Sequence, residues 1–186
     1  MAGFIVGFDN DPPNVFERQI QFIREAAIPL SMVGLLTALP NTQLWRRLKT
    51  EGRLLKESLG NNTHIDLNFI PKMDKQQLLD GYKRILETIY SPKEYFERAS
   101  AFLSQLGEAA RTPVVFSDVM ALGRSLWRQG IVHNYRKEYW KFLAQTVRRH
   151  RHHFSKAITL AIMGHHFFEL ISTEGSASCD TSAALG

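Results

Sequence analysis

Four groups of residues in this 186-residue chain could do chemistry. The first is the opening segment, Ala2-Gly3-Phe4-Ile5-Val6-Gly7-Phe8, which runs directly into Asp9-Asn10-Asp11-Pro12-Pro13. Glycines in an apolar strand lack the Cβ that would block a ligand or another backbone, so Gly3 and Gly7 fit either a ligand-facing strand edge or a close helix crossing. Asp9, Asn10 and Asp11 fit either ligand contact or an ordinary Asx turn before the two prolines. The second group, Arg148-Arg149-His150-Arg151-His152-His153, has cations for phosphate or nucleic acid and imidazoles for a metal. A solvated helix end is the simpler reading, because cations there complement the carboxyl-end dipole. The third, His165-His166, lies beside Phe167 and Phe168 and reads as core or interface histidines ahead of ligands. The fourth is Cys179, the only cysteine, which can build neither a disulfide nor a cysteine metal site within one copy. It reads as an exposed, inert thiol. No Walker loop, nucleophile elbow, His-Glu-x-x-His or EF-hand loop is present.

The elements that would position these groups follow from periodicity. Residues 3–8 and about 30–38 are near-continuous apolar runs bounded by Pro or Gly, which suits parallel strands buried on both faces. Between them Phe16, Ile20, Ile23 and Ala27 recur at helical spacing, with Pro29 as a stop, giving a βαβ unit. Asn41 or Thr42 caps a short helix through Leu44, Trp45 and Leu48 to Gly52. Gly60 to His64 reads as a loop, and Asn61-Asn62-Thr63 there is a glycosylation sequon that a cytoplasmic chain leaves unused. The pattern then turns helical. Asp74 caps a helix through Leu78, Leu79, Tyr82, Ile85, Leu86 and Ile89, and Ser91-Pro92 starts another through Tyr95, Phe96, Ala99, Phe102, Leu103 and Leu106. Further helices are expected over about 115–129, 134–149 and 154–171, the last apolar over much of its circumference and so central. Trp45, Trp127 and Trp140 read as core anchors, and Met32, Met73, Met120 and Met163 as gap fillers. Residues 173–186 are small and polar and read as a disordered tail.

Composition sets the class. An apolar share of 44% and twelve Phe support a real core and exclude general disorder. There is no apolar run of membrane-spanning length and no basic n-region of a signal peptide, so the expected location is cytoplasmic. The net charge of +5 is regional: Arg124 to Lys156 holds nine Lys and Arg against one Glu, leaving the remainder slightly acidic.

The strand segments resemble the later part of the partial barrel of radical S-adenosylmethionine enzymes. Gly3, Ile5 and Gly7 fill the fixed positions of that family's Gly-x-Ile-x-Gly-x-x-Glu strand, whose backbone lies against the adenine of the cofactor, and Asn10 stands where the family has Glu. Leu39-Pro40-Asn41-Thr42, then Leu44-Trp45, is similar to the Leu-Pro-Gly-Thr strand end and the helix after it. Four later segments resemble the helical domain of unknown function that follows the barrel in a cobalamin-binding subgroup: Gly60 to Thr63, Asn68 to Met73, Gly81 to Arg84 with Tyr90 to Phe96, and Ala161 to Phe168. The resemblance covers about residues 1–172. It implies a parent enzyme that cleaves S-adenosylmethionine reductively at a 4Fe-4S iron-sulfur cluster and modifies a small-molecule substrate through a radical, with methylation through cobalamin in that subgroup.

The resulting expectation is α/β and then mainly α. Residues 1–55 would be a βαβα remnant, strands five and six of a (β/α)6 partial barrel; 56–172 would be the helical C-terminal domain and 173–186 the tail. The Cys-x-x-x-Cys-x-x-Cys loop of the family is lacking, so the chain alone is expected to bind no cofactor and to be inactive. Met1 is read as an internal methionine of a longer protein or the start of a truncated gene. The barrel and cobalamin portions would precede it. Cofactor contact is expected at Gly3, Ile5, Gly7 and Asn10, with no catalytic or metal residues and no nucleic-acid partner. The competing reading is a helical interaction module binding an anionic partner through Arg124 to Lys156.

Overall fold

The computed structural model describes residues 1–55, 67–107, 123 and 127–183, with the side chains of 128, 132 and 172–183 excepted. The loop and sequon at 60–64, most of the helix expected at 115–129 with Val119, Met120, Leu122 and Leu126, and Arg124 of the basic stretch lie outside the described residues. Strand β1 (Ala2–Val6) is followed by α1 (Val15–Glu25), β2 (Ser31–Leu35) and α2 (Gln43–Thr50). Helices α3 (Lys75–Ile89), α4 (Pro92–Gln105), α5 (Arg136–Arg149) and α6 (Phe154–Ala183) complete a βαβα start and a mainly helical remainder. A π turn, Arg128–Val132, precedes α5, and a 3-10 turn, Arg151–His153, precedes α6. The chain forms two compact units: Met1–Phe22 with Ser31–Leu86, and Ile23–Leu30 with Glu87–Gly186.

In the first unit β1 and β2 pair in parallel, from Ala2 opposite Ser31 to Val6 opposite Leu35. Helix α1 stops before Pro29, because Ala27 takes a left-handed φ of 47° and its amide and that of Ile28 satisfy the Arg24 and Ile23 carbonyls. Thr42, not Asn41, caps α2 by accepting from the Trp45 amide at 3.2 Å, while Asn41 supplies a φ of 65° that few other residues tolerate. Asp74 caps α3 through the Gln77 amide at 2.9 Å. Leu36, Ala38, Leu48 and Phe69 form a buried cluster flanked by Leu44, Trp45 and Leu54. Buried Asn68 fastens it, accepting from the Ala38 amide at 2.9 Å and donating to the Ala38 carbonyl at 2.8 Å. Gly81 lets α3 approach α1: a Cβ there would sit 2.4 Å from the Phe16 ring.

The strands are not buried on both faces. β1 alternates between half-buried and exposed positions up to a fully buried Val6, with Ile5 and Met32 of the neighbouring strand half open to solvent. The physical reason is that the sheet, among the described residues, has two strands, and no second layer covers the outward face.

The second unit is an aromatic core. Phe96 stacks on Phe142 at 5.1 Å between ring centres, and Tyr95 meets Phe168 edge to face at 5.4 Å. The fully buried Tyr95 donates its hydroxyl to the Leu160 carbonyl at 2.7 Å, tying α4 to α6 where Gly164 leaves room for the ring. Arg98 is buried in the same unit, donating to the Ile89 and Ile28 carbonyls. No helix among the described residues is long and apolar enough to cross a membrane.

Three expectations differ here. Trp127 and Trp140 are exposed rather than core anchors; Trp140 lies over Gly130 with its indole N–H on the Gly130 carbonyl at 3.0 Å, so a polar anchor replaces burial. Met32 and Met163 are likewise exposed. Residues 173–183 carry helical backbone, since α6 continues through Ala183 with no proline after Phe154 to stop it.

Candidate functional site

The turn after β1 is held by its own acids. Asp11 accepts from the Gly7 and Phe8 amides at 2.8 and 2.9 Å, the turn-forming role. Asp9 is clasped by Arg53, Oδ1 to Nη2 at 2.7 Å and Oδ2 to Nη1 at 3.0 Å, and Arg47 adds 2.8 Å to Oδ2. The Arg53 hydrogen bonds hold the Asp9 carboxyl below the usual carboxylate range against the opposing pull of burial, with the Arg53, Arg47 and Lys72 charges assisting. Both acids are therefore spoken for within the fold. Asn10 is exposed at the tip of the turn.

The strand residues separate in the same way. Gly3 is exposed and a Cβ on it would meet nothing within 4 Å; Ile5 is half exposed, its carbonyl accepting from Gln19 at 3.1 Å. Gly7 is buried at a φ of 105°, and a Cβ there would sit 3.2 Å from Leu78. Its glycine is accounted for by backbone conformation and packing. The backbone face at Gly3 and Ile5 is open to solvent. An iron-sulfur cluster does not fit: Cys179 is the only thiol.

The second unit holds a cleft of about 630 Å³, lined among others by Glu87, Tyr90, His133, Tyr135, His165 and Glu169. The π turn ends just before His133, and the packing of Gly130 under Trp140 fixes that turn. Such turns recur at functional sites because they redirect the side chains that follow. His133 stacks on Tyr135 at 5.3 Å and stands edge-on to the His165 ring at 4.7 Å. The Tyr135 hydroxyl is 2.7 Å from His165 Nδ1. Burial, followed by the Glu169 charge, pushes the Tyr135 phenol well above its ordinary range, so it stays neutral. Glu169 Oε1 lies 3.4 Å from His165 Nε2 and 4.0 Å from His133 Nε2.

His165 is buried with a bonded ring nitrogen, as its apolar helix suggests, whereas His166 is exposed. His133, Tyr135 and Glu169 are absent from the candidates read from sequence. The available signal was the four-residue step from His165 to Glu169, which puts both on one helix face. In the basic stretch Arg148, Arg149, Arg151 and His152 are exposed, His150 meets Ser104 at 3.2 Å, and His153 is buried.

Residues 42–177 match the family described as a domain of unknown function, DUF4070. The chain belongs to this family. Uncharacterized methyltransferase sll1242 of Synechocystis sp. is 35% identical over 175 residues, covering 91% of this chain and 32% of the relative. Hopanoid C-2 methylase of Rhodopseudomonas palustris is 29% identical over 175 residues, covering 89% of this chain and 32% of the methylase. The DUF4070 chain thus spans about a third of the length of the curated relatives it matches. No solved structure matches it.

Proposed function

We propose that this chain is one part of a radical S-adenosylmethionine methyltransferase of the cobalamin-dependent kind. Residues 1–55 would be its last two barrel strands, and 56–172 the helical domain that follows them in sequence. The observation that carries the reading is the similarity, along nine-tenths of this chain, to two proteins that both bear methyltransferase names. The parallel βαβα start supports it, because it sets an open strand edge at Gly3 and Ile5. When bound, S-adenosylmethionine and its iron-sulfur cluster supply a carbon radical, and cobalamin a transferable methyl group. This chain's own contribution is to offer Gly3 and Ile5 as a flat support for the adenine, with Asn10 at the tip of the adjoining turn. Asp9, held by Arg53 and Arg47, fixes that turn without taking part in chemistry. The substrate belongs to the apolar small molecules, by similarity to the hopanoid methylase. Nucleic acid has no place in this scheme.

The test uses the longer protein that contains this chain, with its cluster and cobalamin reconstituted. Under reducing conditions it should convert S-adenosylmethionine to 5′-deoxyadenosine, and Gly3→Val should slow that conversion while leaving cluster content unchanged. With methyl-deuterated S-adenosylmethionine and an extract of apolar metabolites, a labelled product should appear. A fully loaded protein that forms no 5′-deoxyadenosine overturns the reading.

A further inference from the structure

We propose that His133, His165 and Glu169 form a binding site for one divalent transition-metal ion of the zinc class, open to the cleft in the helical unit. One donor atom from each of the three lies within 4.8 Å of the others, in a mixed set of two imidazoles and one carboxylate. That donor set suits borderline cations such as Zn²⁺, Fe²⁺ or Co²⁺ and disfavours Mg²⁺ and Ca²⁺, which take oxygen.

The geometry is close to what such an ion needs. Bonds of about 2.0–2.1 Å in a tetrahedral centre set neighbouring ligand atoms about 3.3 Å apart. His165 Nε2 and Glu169 Oε1 already stand at 3.4 Å, on one face of α6. His133 Nε2 is 4.0 Å from the same oxygen, and only a small side-chain rotation brings it in. That rotation is open to it, because His133 is a third exposed and Glu169 half exposed.

The outer contacts fit as well. A metal-bound histidine usually gives its second ring N–H to a fixed acceptor, which sets the tautomer. Tyr135 provides that acceptor through its hydroxyl oxygen, 2.7 Å from His165 Nδ1. Nδ1–H donated to Tyr135 makes Nε2, which faces Glu169, the ligand atom of the ring. His133 packs face to face on the same Tyr135 side chain. Three protein ligands leave a fourth position directed into a cleft of about 630 Å³, the arrangement of an open site rather than of a closed structural one. An oxygen of water or of a small molecule with a hydroxyl or carboxylate group would complete it. This site is independent of the methyltransferase reading, since it uses none of the residues beside β1.

The experiment takes the full 186-residue chain, stripped with chelator, and titrates it with Co²⁺. One equivalent should produce the visible absorption of a low-coordinate cobalt centre, and Zn²⁺ should displace it and raise the melting temperature. His133→Ala and Glu169→Gln, both at partly exposed positions, should each weaken binding at least tenfold while leaving the far-ultraviolet circular dichroism unchanged. Tyr135→Phe should weaken it about 10-fold through the lost support of His165. His152→Ala, in the connector before α6, should bind as the parent does. Absence of stoichiometric binding refutes the site, as does binding that survives both ligand substitutions or that disappears with His152→Ala. If His133→Ala loses its fold, Glu169→Gln alone decides.

Discussion

Replacing Gly164 by alanine reverses the usual sign of a helix substitution. In an exposed helix interior the change stabilises by about 1 kcal/mol, because alanine gives up less backbone freedom. At Gly164 the new Cβ would stand 2.4 Å from Tyr95 Cε1, 2.8 Å from Cζ and 2.9 Å from Cδ1. Ordinary carbon contacts begin at about 3.5 Å, so the ring would have to retreat by about 1 Å. It has little room to do so, since Tyr95 is fully buried, its hydroxyl is fixed on the Leu160 carbonyl, and Phe96 and Phe168 meet its faces and edges. Overpacking of this kind costs about 3 kcal/mol at the upper end, which leaves a net loss of about 2 kcal/mol. For a chain of this size that lowers the melting temperature by roughly 4–8 °C. Urea unfolding followed by circular dichroism should show it. The same substitution in a Tyr95→Leu background, where the ring is gone, should be neutral or stabilising by up to about 1 kcal/mol. A Gly164→Ala protein more stable than the parent, with Tyr95 intact, would refute the close approach of α4 and α6.

Three further outcomes follow from single contacts. Asn68→Asp changes one donor into an acceptor opposite the Ala38 carbonyl and should cost about 2–3 kcal/mol in urea unfolding, despite being nearly isosteric. Arg98→Met keeps the buried stem but leaves the Ile89 and Ile28 carbonyls without their cation, and calorimetry should show a loss of about 2 kcal/mol. Asp9→Asn should lower stability by about 1 kcal/mol at pH 7. Because the folded Asp9 titrates below its unfolded value of about 3.9, its contribution is complete above that pH and is lost as the pH falls through the folded pKa. The urea midpoints of parent and Asp9→Asn should therefore differ by a constant amount from pH 6 to 8 and converge below pH 4. A gap that widens on acidification would contradict the Arg53 clasp.

Much of the fold is legible because its signals are local. The Thr42 and Asp74 caps, Pro92 in the first turn of α4, Gly52 at a φ of 67° and the spacing of Phe16, Ile20 and Ile23 each act within a few residues, and all fall where the sequence places them. The opening motif is only partly legible. Gly3 and Gly7 look equivalent in sequence, yet one is open and the other is filled by Leu78 from a helix some 70 residues on. Apolar character alone misplaces Trp127, Trp140 and Met163, because burial depends on which face a neighbouring element covers.

The sequence by itself determined the parallel βα opening, the helical remainder and the segments that tie the chain to its family, since periodicity, caps and ordered motifs are properties of neighbouring residues. Only the tertiary structure decided that His133 and Tyr135 meet His165 and Glu169, and that Arg98 lies buried on two carbonyls. Residues from separate elements, thirty positions apart for Tyr135 and His165 and seventy for Arg98 and Ile28, converge through helix phase and crossing, and Gly164 under Tyr95 sets how closely α4 and α6 approach. No local pattern encodes that spacing, because it is fixed by how side chains from distant segments fill one shared volume.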